Sequence, residues 1–94
     1  MIRVVVERWL GEGSDAAIET TMRDLRREAI HAAGYVTGET LRDVADPHHF
    51  LTISTWRTPQ DWDAWANSET RQEIESEIGL MLAEPEKIIV CEPV

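Results

Sequence analysis

The sequence predicts an α+β fold: a ferredoxin-like βαββαβ domain whose four-stranded antiparallel sheet carries its helices on one face. Three observations predict it. Four short stretches are β-branched or alternate apolar with polar residues. Two longer stretches repeat their apolar residues at helical spacing. Turn and cap residues stand at the joints between them.

The first strand is Ile2 to Trp9, rich in β-branched residues and closed by Gly11-Glu12-Gly13. Ser14 stands as N-cap of the next helix, with Asp15 at its electropositive end. Ile18, Met22, Leu25 and Ala29 then form one apolar stripe, with Arg23, Arg26, Arg27 and Glu28 largely outside it. Gly34 is the C′ glycine expected to end that helix. Tyr35 to Val44 reads as the second strand and Phe50 to Trp56 as the third. The short link through Asp46-Pro47 makes them an antiparallel hairpin. Thr58-Pro59 opens a second helix, threonine at N-cap and proline at N1. It carries Trp62, Trp65 and Ala66. Ser68 is a second N-cap candidate, and Ile74, Ile78, Met81 and Leu82 continue an apolar stripe that Pro85 stops. Lys87 to Cys91 is the last strand. Residues 1–94 are expected to be a single domain, without repeat or linker.

Alternation sets Phe50 and Trp56 on one sheet face and Leu51 and Ile53 on the other. Helices cover one face only. An apolar bare face requires a partner, and a second copy packed sheet to sheet is the economical one, so a homodimer is expected.

Composition narrows the function. The net charge is -9, from 18 acidic and 9 basic residues, and no basic run exists. That argues against nucleic acid and anionic membrane as partners. No apolar run reaches the length of a membrane span, and Met1 to Val6 is too short for a signal segment, so a cytoplasmic protein is expected. Cys91 has no second cysteine to pair with. Its place after Ile88, Ile89 and Val90 predicts a buried, inert thiol. His48 and His49 are adjacent at a strand start and point to opposite faces, and no helical histidine pair or paired-cysteine spacing occurs. No metal site is expected.

Three stretches carry a family resemblance: Ala33-Gly34-Tyr35-Val36-Thr37-Gly38, Ser54-Thr55-Trp56-Arg57-Thr58 and Trp62-Asp63-Ala64-Trp65-Ala66-Asn67-Ser68. In that order they resemble the antibiotic-biosynthesis-monooxygenase (ABM) family over essentially the whole chain. The resemblance implies a dimeric α+β barrel with a pocket in each subunit between sheet and helices. Some members oxidise phenolic aromatics to quinones with O2 and no cofactor, others bind and degrade haem, and others act on small signalling molecules. The asparagine, tryptophan and tyrosine of the cofactor-free members fall here at Thr52, Trp56 and Trp62, so only the tryptophan is kept. In the haem degraders, a first-strand asparagine falls at Val6 or Glu7 and the helix tryptophan at Trp65. Their axial histidine falls at Ile74 or Glu75, neither of which is an imidazole.

The chain has four tryptophans, and Trp56, Trp62 and Trp65 gather at one strand-to-helix junction. Core packing explains any one of them. Two together can wall a flat pocket for a planar aromatic. On this reading Trp56 walls the pocket, Thr52 orients the substrate oxygen and His31 is the general base. Trp62, Trp65, Tyr35 and Glu7 complete the substrate site. His31 also lies near a helix C-terminus, where a cation is favoured without any catalysis. Glu7 would suit a base if it faced inward, where desolvation raises a carboxylate pKa; outward it is merely solvated. His48 and His49 are further candidates for the base. Three readings follow. The first is a monooxygenase using O2 on a small planar aromatic or quinol, with neither metal nor flavin. The second is a haem-binding or haem-degrading protein. The third is a non-catalytic dimeric binding domain.

Overall fold

The computed structural model describes residues 1–94 and follows the expected order, with one helix more. The elements are β1 (Ile2–Trp9), α1 (Asp15–Ala29), β2 (Tyr35–Arg42), β3 (His49–Trp56), α2 (Pro59–Ala66), α3 (Glu69–Gly79) and β4 (Lys87–Cys91). The strands form one antiparallel sheet in the order β2-β3-β1-β4, the ferredoxin-like arrangement. Pairing sets Val4 opposite Ser54, Val6 opposite Thr52 and Arg8 opposite Phe50.

That register gives the sheet two unlike faces. Ile2, Val4, Val6, Arg8, Phe50, Ser54 and Trp56 are buried beneath the helices. Val5, Glu7, Trp9, Leu51 and Ile53 are half-buried on the bare face. The covered face holds two apolar clusters. Ile2, Val4, Val6, Ala29, Trp56, Trp62 and Trp65 fill one end, and Leu10, Ile18, Met22, Phe50 and Ile78 fill the other. Arg8 and Thr52 lie between them along the strands.

Caps explain the helix boundaries. Thr58 accepts a hydrogen bond from the Asp61 amide, and Ser68 accepts one from the Arg71 amide. The second cap divides the expected single helix into α2 and α3. Ser14 does occupy the N-cap of α1, but its side chain makes no capping bond. The helix α1 ends at Ala29, capped by Ile30, ahead of the expected glycine. Gly34 instead serves the turn into β2, with φ +82, and a Cβ there would overlap the Asp61 carboxylate. The helix α3 ends at Gly79, before Pro85, because Leu82 leaves it to bridge Leu10. Cys91 is exposed, against expectation. It sits on the edge strand β4, opposite Arg3, on the sheet face that no helix covers.

Candidate functional site

The covered face leaves a cavity of about 60 Å³ between α1, the sheet and α2. Its walls are Trp56, Trp62, Trp65 and Tyr35, and its floor is the inward side chains of β1 and β3. Trp56 is 1% exposed and anchors the site. Its indole meets Tyr35 edge-on at 5.4 Å and Trp62 edge-on at 5.7 Å, and it stacks on Trp65 at 6.4 Å. These are the offset and edge-to-face geometries that aromatic quadrupoles favour. Gly38 makes room for Tyr35: a Cβ there would lie 2.8 Å from the phenolic oxygen.

The floor is polar. Trp56 Nε1 donates to Ser54 Oγ at 2.9 Å, fixing the indole plane. Arg8 Nη1 donates to Thr52 Oγ1 at 3.3 Å, and Thr52 Oγ1 lies 3.1 Å from Thr40 Oγ1. A hydroxyl offers one proton. Whichever threonine donates to the other, one of the pair keeps a proton for a ligand. Ser54, acting as acceptor toward Trp56, keeps its own.

Behind the floor lies a buried ion cluster. Arg8 reaches Glu75 at 2.7 Å and Glu86 at 3.0 Å. Arg71 reaches the same two carboxylates at 3.3 and 3.6 Å, and its guanidinium lies 5.3 Å from the centre of the Trp62 ring. Both arginines also line the cavity. Two cations against two carboxylates balance the charge, which a buried cluster needs. Burial pushes the Glu75 carboxyl above its ordinary range, against the pull of Arg8 and Arg71, and its hydrogen bond with Glu86 acts in the same direction.

The structure brings Trp56, Thr52, Trp62, Trp65 and Tyr35 together around one cavity. Two expected residues lie elsewhere. His31 is exposed beyond the end of α1, in a shallow depression with Glu28, Asp61 and Thr70. Ala29, the last residue of the helix, lines the cavity, and His31 lies past it on the outside. Glu7 pairs with Leu51 in the sheet and therefore faces the bare side. There it meets His49 Nε2 at 3.0 Å, while His49 Nδ1 meets Asp43 at 2.9 Å and the ring stacks on Trp9 at 5.1 Å. His48 reaches Asp15, also away from the cavity. No imidazole lines the cavity, and its one lining carboxylate residue, Glu39, pairs with Ile53 and so directs its side chain to the opposite face.

Nothing in the sequence alone marks Arg8, Ser54 or Arg71 as lining the cavity. Alternation along β1 and β3 does place Arg8 and Ser54 inward, but a buried arginine is legible only once its carboxylate partners, far along the chain, are known. The cavity offers no imidazole or thiolate to a haem iron. No histidine lines the cavity, Cys91 lies on the other sheet face, and the space is far smaller than a porphyrin.

Fold and cavity define a class: small ferredoxin-like domains with an aromatic-walled site between sheet and helices. Residues 1–76 match the profile of the antibiotic biosynthesis monooxygenase family, and the chain belongs to that family. Solved structures agree in fold. A crystal structure of an antibiotic biosynthesis monooxygenase superposes with a TM-score of 0.92 at 16% identity, over 100% of this chain and 99% of that one. A conserved protein from Methanosarcina mazei gives 0.93 at 16% identity, over 99% and 92%. The protein PA3566 from Pseudomonas aeruginosa gives 0.85 at 20% identity, over 99% and 93%. At such identities the likeness speaks to the fold alone. No curated protein matches the chain in sequence.

Proposed function

We propose that the protein is a cofactor-independent monooxygenase that oxidises a small planar phenol or enol with O2. The observation that supports this most is the joining of aromatic walls to free hydroxyl donors in one cavity. Trp56, Trp62 and Tyr35 suit a flat ring, while Ser54 and the Thr40–Thr52 pair can donate to a single oxygen. Donors aimed at a developing phenolate favour the ionised substrate. The anion is the form that gives an electron to O2. For an anthrone-like substrate, the carbon radical and superoxide then combine as a hydroperoxide at the methylene carbon. Loss of water leaves a carbonyl. One oxygen atom enters the product and the other leaves as water, and the methylene carbon supplies all four electrons.

No imidazole or carboxylate side chain lines the cavity, so the substrate proton passes to water there. The substrate's own ionisation, aided by the hydroxyl donors, then sets the pH dependence. A cavity of about 60 Å³ holds water or O2 but no ring; one that binds benzene has about 150 Å³. Entry of a ring therefore needs the side chains of Met22 and Arg26, where the cavity meets the neighbouring groove, to swing aside, as interface side chains commonly do.

Oxygen uptake by metal-stripped protein on adding an anthrone tests the proposal. One O2 consumed per carbonyl formed is expected. Thr52→Val with Ser54→Ala should slow turnover about 10²-fold, the scale of a lost oxyanion donor. His31→Ala should leave it unchanged. The small cavity favours a second reading, a non-catalytic binding domain filled by its own tryptophans; anthrone binding without oxygen uptake would select it.

The active unit is proposed to be a cytoplasmic homodimer closed through the bare sheet face, where Val5, Leu51, Ile53 and Ile89 present apolar surface beside one another.

A further inference from the structure

We infer that the substrate carries a carboxylate on its aromatic framework, and that Arg26 and Arg23 at the cavity mouth recognise it. This rests on the aromatic-cavity reading above and adds the chemical class of the ligand. The cavity does not end at its walls. It opens into a groove of about 350 Å³ between α1 and β2, and the two share Met22, Arg26 and Thr40. The groove is lined by Arg23, Arg26 and Arg42 against a single acid, Glu19. Glu19 is engaged, at 2.6 Å from Arg42, and Arg42 also lies over the Phe50 ring at 5.0 Å. The next arginine on α1, Arg27, is engaged by Asp24. Arg23 and Arg26 pair with no carboxylate in a chain that has twice as many acids as bases.

Those two charges lie one helical turn apart, on the side of α1 that borders the groove, so their guanidinium groups can converge on one anion. A forked guanidinium matches a carboxylate in two-point contact. A positive mouth on a strongly negative chain also concentrates anionic ligands there and repels cations. The apolar end of the ligand is then fixed by Trp56 and Tyr35, its phenolic oxygen by Thr52 and Ser54, and its acid group by the mouth. Neutral aromatics of the same shape lack the third point. The sequence shows Arg23 and Arg26 outside the apolar stripe of α1 but not the groove that β2 forms beside them.

Isothermal titration with 6-hydroxy-2-naphthoate and with its methyl ester tests the inference. The acid is expected to bind about fivefold or more tighter than the ester at low salt, the scale of a partly exposed ion pair. Raising the salt should shrink the difference. The double variant Arg23→Gln, Arg26→Gln should abolish it; both side chains are exposed and change without touching the core. Arg57→Gln, an exposed arginine outside the groove, should preserve it. Equal affinity for acid and ester, or a preference that survives the double variant, overturns the inference and leaves the aromatic cavity standing. Binding of neither compound overturns both.

Discussion

At the scale of single residues, the cavity depends on side chains whose roles come from their partners. Arg8 is the clearest case. At 1% exposure it is buried among Glu75, Glu86 and Thr52. Arg8→Ala should destabilise the fold by about 3–5 kcal/mol, because it leaves two carboxylates buried against one cation. Urea denaturation checks this. Its position one alternation step beyond Val6 was legible, but its meaning was not: Glu75 and Glu86 lie far along the chain. Trp56 was legible as a wall candidate, since it lies close along the chain to Trp62 and Trp65 and shares a strand face with Phe50. His31 misled because proximity to a helix end says nothing of which way the chain turns after the cap. On the bare face, Asp43 and Glu7 hold the His49 imidazole above its ordinary pKa of 6.5, and His49 holds Asp43 below 3.8. A raised histidine contributes stability that is complete below about 6.5 and fades as pH rises through its folded value. A lowered aspartate contributes stability that is complete above about 3.8 and fades as pH falls through its own. Both therefore act fully between those values. His49→Gln should lower Tm inside that window and weaken its decline on either side, above about 6.5 and below about 3.8, read by thermal melts that extend beyond both edges.

At the scale of elements, caps decide more than stripes. The apolar stripe of α1 was visible as Ile18, Met22, Leu25 and Ala29, and three of these are buried. The division of the second helix was half visible, as a serine followed by acid. What tipped it is the pair of bonds that Ser68 makes, accepting from the Arg71 amide and donating to the Trp65 carbonyl at 2.7 Å. Thr58→Ala and Ser68→Ala should each cost about 1 kcal/mol. Ser14→Ala should cost close to nothing, because no side-chain bond is lost. The three variants compared by chemical denaturation check the contrast. Met81 and Leu82 looked helical by spacing alone; pairing of Leu82 with Leu10 across the sheet end overrides that period, and no local signal announces it.

At the scale of the whole molecule, the fold brings together what the chain keeps apart. The order of elements along the chain and the β2–β3 hairpin followed from turns and alternation; which face of β1 turns inward did not, because it depends on pairing with β3 and β4. The cavity's size did not follow, because it depends on how tightly three indoles pack. Nor did the arginine-lined groove, which needs α1 laid beside β2. The bare face is where the proposed dimer closes. Light scattering at micromolar concentration should give the mass of two chains, and Ile53→Arg, placing a charge amid Val5 and Leu51, should halve it. A wild-type monomer would remove the dimer from the account.

On the proposed function, O2 itself, without metal or flavin, oxidises an aromatic substrate in the tryptophan-walled cavity. Turnover of an anthrone under isotopically labelled O2, by metal-stripped protein, tests it most directly. One labelled oxygen atom is expected in the carbonyl product, at a rate that Trp56→Phe and the paired Thr52→Val, Ser54→Ala change both reduce. Product whose oxygen comes from water, or turnover that vanishes with the metal and returns when metal is restored, would contradict it.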